Sequence, residues 1–123
     1  VDIVVSGAAS DAEADRVARR VANSPLLRCA ITGADPNWGR LVMALGNTGA
    51  SFDLGALEVD FGSVALVRKG VVLSADAVAS ARKVMKQDAW TMTIRLGKGP
   101  GSATVITSDL TQEYVHFNSA YTS

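Results

Sequence analysis

The sequence predicts an α/β to α+β fold, a mixed β-sheet with several packed helices, on three observations. Apolar and polar residues alternate over residues 57–61 and 90–96, and Val1, Ile3 and Val5 alternate with Asp2, Val4 and Ser6, the period of half-buried strands. Between these segments, Ala14, Val17, Ala18, Val21 and Ala22 recur at the spacing of a helical stripe. Ser, Asp, Gly and Pro fall at the junctions, where helix caps and turns need them.

In order along the chain, Val1, Ile3 and Val5 give a first strand that ends at Gly7. Ser10 with Glu13 three residues on is a capping box for the first helix. Its acids precede its arginines, which suits the helix dipole, and Asp15 to Arg19 is a favourable i,i+4 pair. Those charges read as a solvated face. Leu27, Cys29 and Ile31 mark a second strand. Asp35 is placed to cap a second helix with Pro36 at its first position, and Gly46 or Gly49 to stop it. Leu57, Val59 and Phe61 form a strand that turns at Gly62-Ser63 into a hairpin over residues 64–67. Lys69-Gly70 is a further turn before residues 71–73. Ser74 caps a third helix, and Trp90, Met92, Ile94 and Leu96 form the next strand. The glycine-rich run 97–101 reads as a hairpin turn into a last strand over 102–107, followed by a short helix ending near Asn118.

Composition narrows the function classes. The chain has 123 residues, 48% of them apolar, which suffices for one domain with a real core. Twelve basic residues balance twelve acidic ones, which argues against a nucleic-acid partner, since that would call for a basic face. No apolar run approaches the length of a membrane span, so no membrane partner and a cytoplasmic location are expected. Cys29 is the only cysteine, so neither a disulfide framework nor a cysteine metal site is expected. The chain starts inside a strand pattern at Val1, which suggests a piece of a longer polypeptide.

Four places invite a chemical reading. In the run Asp35-Pro36-Asn37-Trp38-Gly39-Arg40, a helix start and an arginine one turn in offer a corner for a carboxylate or phosphate. The competing structural reading, with Asp35 capping and Trp38 packing, is preferred on physics alone. The run 97–101 lacks the following helix and the Lys-Ser/Thr pair that a phosphate loop requires. His116 and Asp109 lie seven residues apart on one helical face, but no nucleophile elbow accompanies them. In the tail, Tyr114, Phe117 and Tyr121 are spaced to dock residues 107–123. Asn118 and Ser123 would then offer an amide, a hydroxyl and a terminal carboxylate to a polar ligand. The alternative is an ordinary helix end with Asn118 at its C-cap. Scattered carboxylates argue against a metal site.

The six-residue run from Asp35 to Arg40, together with Asp109-Leu110-Thr111, Tyr114-Val115, Asn118 and Tyr121-Thr122-Ser123, resembles the ornithine acetyltransferase family, the glutamate N-acetyltransferases of arginine biosynthesis. Order and spacing agree along essentially the whole chain. The resemblance implies a precursor that cleaves itself before a threonine, which becomes the N-terminal nucleophile of the β chain. That threonine takes the acetyl group from N-acetylornithine and passes it to glutamate, with no cofactor and with its own amine as base. By the same resemblance Val1 lies inside the β chain beyond the nucleophile. Residues 1–123 are then one domain, the C-terminal portion of that β chain in an N-terminal-nucleophile-type acyltransferase. Its partners would be the α chain and the N-terminal part of the β chain, in an αβ heterodimer that oligomerises further. The resemblance places no catalytic residue in this chain. It carries substrate binding onto Asn118 and Ser123, implies that the chain alone is inactive, and gives the Asp35 to Arg40 run no catalytic role. Two other readings are a paralogous acyltransferase of secondary metabolism with a different donor or acceptor, and a non-catalytic amino-acid-binding or assembly domain.

Overall fold

The computed structural model describes residues 1–25, 28, 33–36, 38–46 and 52–106. The first strand, β1 (Asp2–Gly7), buries Ile3 and Val5 completely, as its alternation requires. Ser10, with extended backbone, caps α1 (Asp11–Ala22), and its hydroxyl accepts from Glu13 N at 3.1 Å. All five stripe residues of α1 are buried. Asp15 and Arg19 pair at 2.9 Å on its exposed side, a contact worth only tenths of a kcal/mol, roughly 0.3–0.5.

The second helix, α2 (Trp38–Gly46), buries Leu41, Ala44 and Leu45. A 3₁₀ turn over Leu54–Ala56 leads into β2 (Glu58–Phe61). Gly62, at φ +60°, turns the chain back into β3 (Val64–Arg68), antiparallel to β2 with a register slip between Val59 and Asp60. Lys69 and Gly70, at φ +52° and +74°, make the two-residue turn into β4 (Val71–Val72). Left-handed backbone at both positions matches the twist of a tight hairpin. Ser74 caps α3 (Ala75–Met85), its Oγ accepting from Ala77 N at 3.0 Å. β5 (Thr91–Arg95) and β6 (Gly99–Ile106) complete the sheet.

The six strands lie in the order β4-β3-β2-β5-β1-β6. β1 and β5 are parallel and the other pairings antiparallel, so the sheet is mixed as expected. Register pairs Ile3 with Met92, Val5 with Ile94, Val59 with Ile94 and Phe61 with Met92. These residues share one face and form one buried cluster with α1, α2 and α3. The Phe61 and Trp90 rings pack beside each other there, with centroids 5.0 Å apart. The opposite face carries Val4, Ser6, Glu58, Asp60, Thr93 and Arg95, all half-buried.

Four expectations need correction or fall outside the described residues. Where a strand was expected over 27–31, Pro25 and Arg28 are helical, and Arg28 N donates to Ser24 O at 3.0 Å. Ser24 followed by Pro25 is itself a helix-start pattern, and it outweighs the short apolar alternation. Pro36 does not open α2. It is buried and non-helical, after a turn in which Ala34 takes φ +50°. The run 97–101 is not a hairpin turn, because β1 lies between β5 and β6, and Gly99 to Gly101 already belong to β6. A tight turn joins only neighbouring strands, about 4.8 Å apart. The short helix expected before Asn118 lies outside the described residues.

Candidate functional site

Three groups of residues have the placement of a functional surface. The first is the corner before α2. Asp35 is exposed, Pro36 is buried and Arg40 is half-buried one turn into the helix. Ala34 holds the left-handed region without being glycine, which costs about 1 kcal/mol or more. Asn37 and the Trp38 side chain lie outside the described residues.

The second group is a seam between the end of β1 and the start of β6. A Cβ on Gly7 would overlap the Gly97 backbone, one on Gly99 would overlap Ala8 O, and one on Gly101 would overlap Ser10 O. Ala8 and Gly101 exchange backbone hydrogen bonds of 3.2 and 2.9 Å. Beside the seam, Ser102 N donates to Asp11 Oδ1 at 2.9 Å, which ties β6 to the first turn of α1. Asp11 is therefore more than a solvated helix-start charge. β6 runs from this seam to Ile106, opposite Asp2. Asn118 and Ser123, with His116 and Asp109, follow beyond it and lie outside the described residues.

The third group is a charge network on the open sheet face. Arg95 Nε donates to Glu58 Oε1 at 2.7 Å, and Arg95 Nη2 donates to Asp60 Oδ2 at 2.9 Å. Arg68 Nη1 lies 2.7 Å from Asp60 Oδ1, an ion pair without hydrogen-bond geometry, and donates to Val67 O at 2.8 Å. The Glu58 hydrogen bond, and then Asp60, hold the Arg95 guanidinium above its ordinary pKa, against the opposing effect of burial. Two cations and two anions balance, so the group forms a fixed neutral patch. The alternation of β2 and β5 puts these side chains on one face, but only the strand order makes them neighbours.

Arg28 is the buried charged residue among the described residues, at 8% exposure, and sequence reasoning passed over it. Its signal was a charge inside an otherwise apolar run. An open crevice of about 220 Å³ lies between the end of α1 and α2, lined by Arg20, Asn23, Ser24, Pro25 and Ala44. Among the described residues no three His, Cys, Asp or Glu cluster to hold a metal ion, and no helix is long and apolar enough to cross a membrane.

Comparison with known proteins bears on what this frame belongs to. The ArgJ family model matches residues 1–123. The chain is a member of the ArgJ family. The arginine biosynthesis bifunctional protein ArgJ of Chlorobium chlorochromatii is 42% identical over 125 residues, which cover all of this chain and 28% of that protein. The ArgJ protein of Geobacter sulfurreducens is 43% identical over 121 residues, covering 98% of this chain and 31% of its own length. The crystal structure of ArgJ from Bacillus halodurans superposes with a TM-score of 0.84 at 29% identity, over 98% of this chain and 56% of that one. The chain thus spans less than a third of the length of the two ArgJ relatives compared by sequence.

Proposed function

We propose that this chain is the C-terminal portion of the β chain of an ornithine acetyltransferase, a cytoplasmic enzyme that moves an acetyl group from N-acetylornithine to glutamate. The observation that carries the reading is the match of the whole chain to ArgJ relatives named as bifunctional arginine-biosynthesis proteins. That those relatives are about three times longer fits a larger precursor. In this reading a threonine upstream of Val1 is the nucleophile. Its Oγ attacks the acetyl carbonyl carbon, and the C–N bond to ornithine breaks as the amine takes a proton. The glutamate amine then attacks the resulting ester, and the threonine hydroxyl is restored. An oxyanion hole, also upstream, stabilises both tetrahedral intermediates.

The part played by this chain is binding. Asn118 and Ser123 are to face the α-amino and α-carboxylate groups that ornithine and glutamate share. An amide donates to a carboxylate and accepts from an N–H, so Asn118 suits either the carboxylate or the reacting nitrogen. The partners are the α chain and the N-terminal part of the β chain, in an αβ heterodimer that oligomerises further. The test uses the full precursor. Asn118→Ala or removal of Ser123 is expected to lower kcat/KM about ten- to hundredfold, the loss of one hydrogen bond to a charged group. Self-cleavage, followed by intact mass, should be unaffected. Wild-type kinetics in both variants would remove the tail from the substrate site, and absence of acetyl transfer in the wild type would remove the function.

A further inference from the structure

We infer that Asp11 is a positioning residue for substrate binding: its carboxylate fixes the register of β6, the strand from which the chain runs on to Asn118 and Ser123. The inference rests on the part given to those two residues in the proposed function. Asp11 is the first residue of α1, whose apolar stripe is buried, so its place is set by the core. Its Oδ1 accepts from Ser102 N at 2.9 Å. A backbone N–H has one hydrogen to give, so at Ser102 β6 is held by α1. The pairing of β1 with β6 changes step at the same point, since Ser6 pairs with Ser102 but Gly7 with Gly99. A bulge of this kind re-aims a strand, and the Asp11 bond pins β6 where the regular ladder gives out.

The side chains of β6 do little to choose its register. Ala103 and Val105 pack against the core, opposite Val5 and Ile3. A slip of one residue would turn Ser102, Thr104 and Ile106 inward in their place. That exchanges an alanine and a valine for a serine, a threonine and an isoleucine, so apolar burial barely separates the two alignments. The choice falls to the head of the strand. There Gly99 and Gly101 lie close against the backbone of Ala8 and Ser10, and Asp11 adds the directional bond. One step of register moves a residue by about 3.4 Å, whereas a binding group must be held within about 0.5 Å. Without the clamp β6 samples more than one alignment. The binding-competent one is then a fraction of the population, and apparent affinity falls in proportion while the saturated complex is unchanged.

The test uses the full precursor after self-cleavage. Asp11→Ala is expected to raise KM for both N-acetylornithine and glutamate about tenfold and to leave kcat within about twofold, the pattern of a thinly populated binding state. Asp11→Asn keeps the acceptor oxygen and removes the charge, and should restore both KM values. Any loss of stability from the missing helix-start charge is common to the two variants, so it cannot produce this difference. Hydrogen exchange of residues 102–106, read by mass spectrometry, should quicken in Asp11→Ala and not in Asp11→Asn. If Asp11→Ala fails to fold, Asp11→Glu takes its place: it keeps the charge, moves the acceptor out by a methylene, and should raise both KM values about threefold or more. Equal KM values in the displaced and the Asp11→Asn variants overturn the inference, as does unchanged exchange in Asp11→Ala. Asn118→Ala on the same preparation separates the two claims. If it raises KM and the Asp11 variants do not, only the positioning role falls. If Asn118→Ala is wild type, the reading of the tail falls and the positioning role with it.

Discussion

Arg95 and Glu58 face each other as register partners across β5 and β2, and the Arg95 Nε to Glu58 Oε1 bond of 2.7 Å crosses that pair directly. The same guanidinium reaches Asp60 one pleat further along β2. Position, not charge alone, makes this a bidentate clamp between two strands.

Removing Asp60 should cost more than removing Glu58, because Asp60 lies 2.7 and 2.9 Å from the two arginines, against 3.9 and 2.7 Å for Glu58, and is the less exposed, at 21% against 39%. Asp60→Ala is expected to lower stability by about 1–2 kcal/mol and Glu58→Ala by about 1 or less, after allowance for solvent screening. Urea unfolding at low and high salt checks both, and the Glu58 effect should shrink more at high salt. Arg95, whose folded pKa is raised, contributes stability that is present below its unfolded pKa and lost only as pH rises through the folded one. That window is strongly alkaline, so the Arg95→Met deficit should be constant between about pH 6 and pH 9.

The glycine seam gives a sharper contrast. Gly101→Ala places a methyl on the Ser10 backbone and Gly99→Ala one on Ala8 O, neither of which is the end of a flexible side chain. Each should destabilise by about 2–4 kcal/mol or prevent folding. Gly46→Ala meets no atom within 4 Å at the end of α2, and should be neutral or stabilising by about 0.5 kcal/mol. Thermal unfolding of the three variants side by side tests the ordering. Equal melting temperatures would mean that the seam is loose.

Ser10→Ala and Ser74→Ala each delete a cap that accepts from the third backbone N–H onward. Each should cost about 1 kcal/mol, and the two should add in the double variant because they start different helices. Denaturant midpoints of the single and double variants are the measurement.

What was legible in the sequence follows the range of the interaction. Ser10 with Glu13, Ser74, Gly62 and the alternation around Met92 and Ile94 act within a few residues, and all appear where they were expected. The insertion of β1 between β5 and β6 was not legible, because the spacing of a glycine run carries no record of which strand lies between its ends. Asp11 meeting Ser102 depends on where β6 lies, and Arg95 meeting Glu58 on the separate pairing of β5 with β2, so both were missed. The helical turn at Arg28 was missed for a local reason: the alternation of Leu27, Cys29 and Ile31 was weighed above Ser24-Pro25. The candidate substrate residues Asn118 and Ser123 were found through family resemblance, because no physical pattern distinguishes a binding amide from a helix C-cap.

The place of β1 in the sheet has a consequence for how the molecule is made. Its partners β5 and β6 are about ninety and a hundred residues later in the chain, with Asp2 set against both Thr91 and Ile106. During synthesis the β2–β3–β4 meander can form as soon as it emerges, since its contacts are local. β1 meets its two neighbours in the sheet only after β5 and β6 have been made. Until then Ile3, Val4 and Val5 are a bare aliphatic strand, the kind of segment that chaperones hold and that aggregates when they do not.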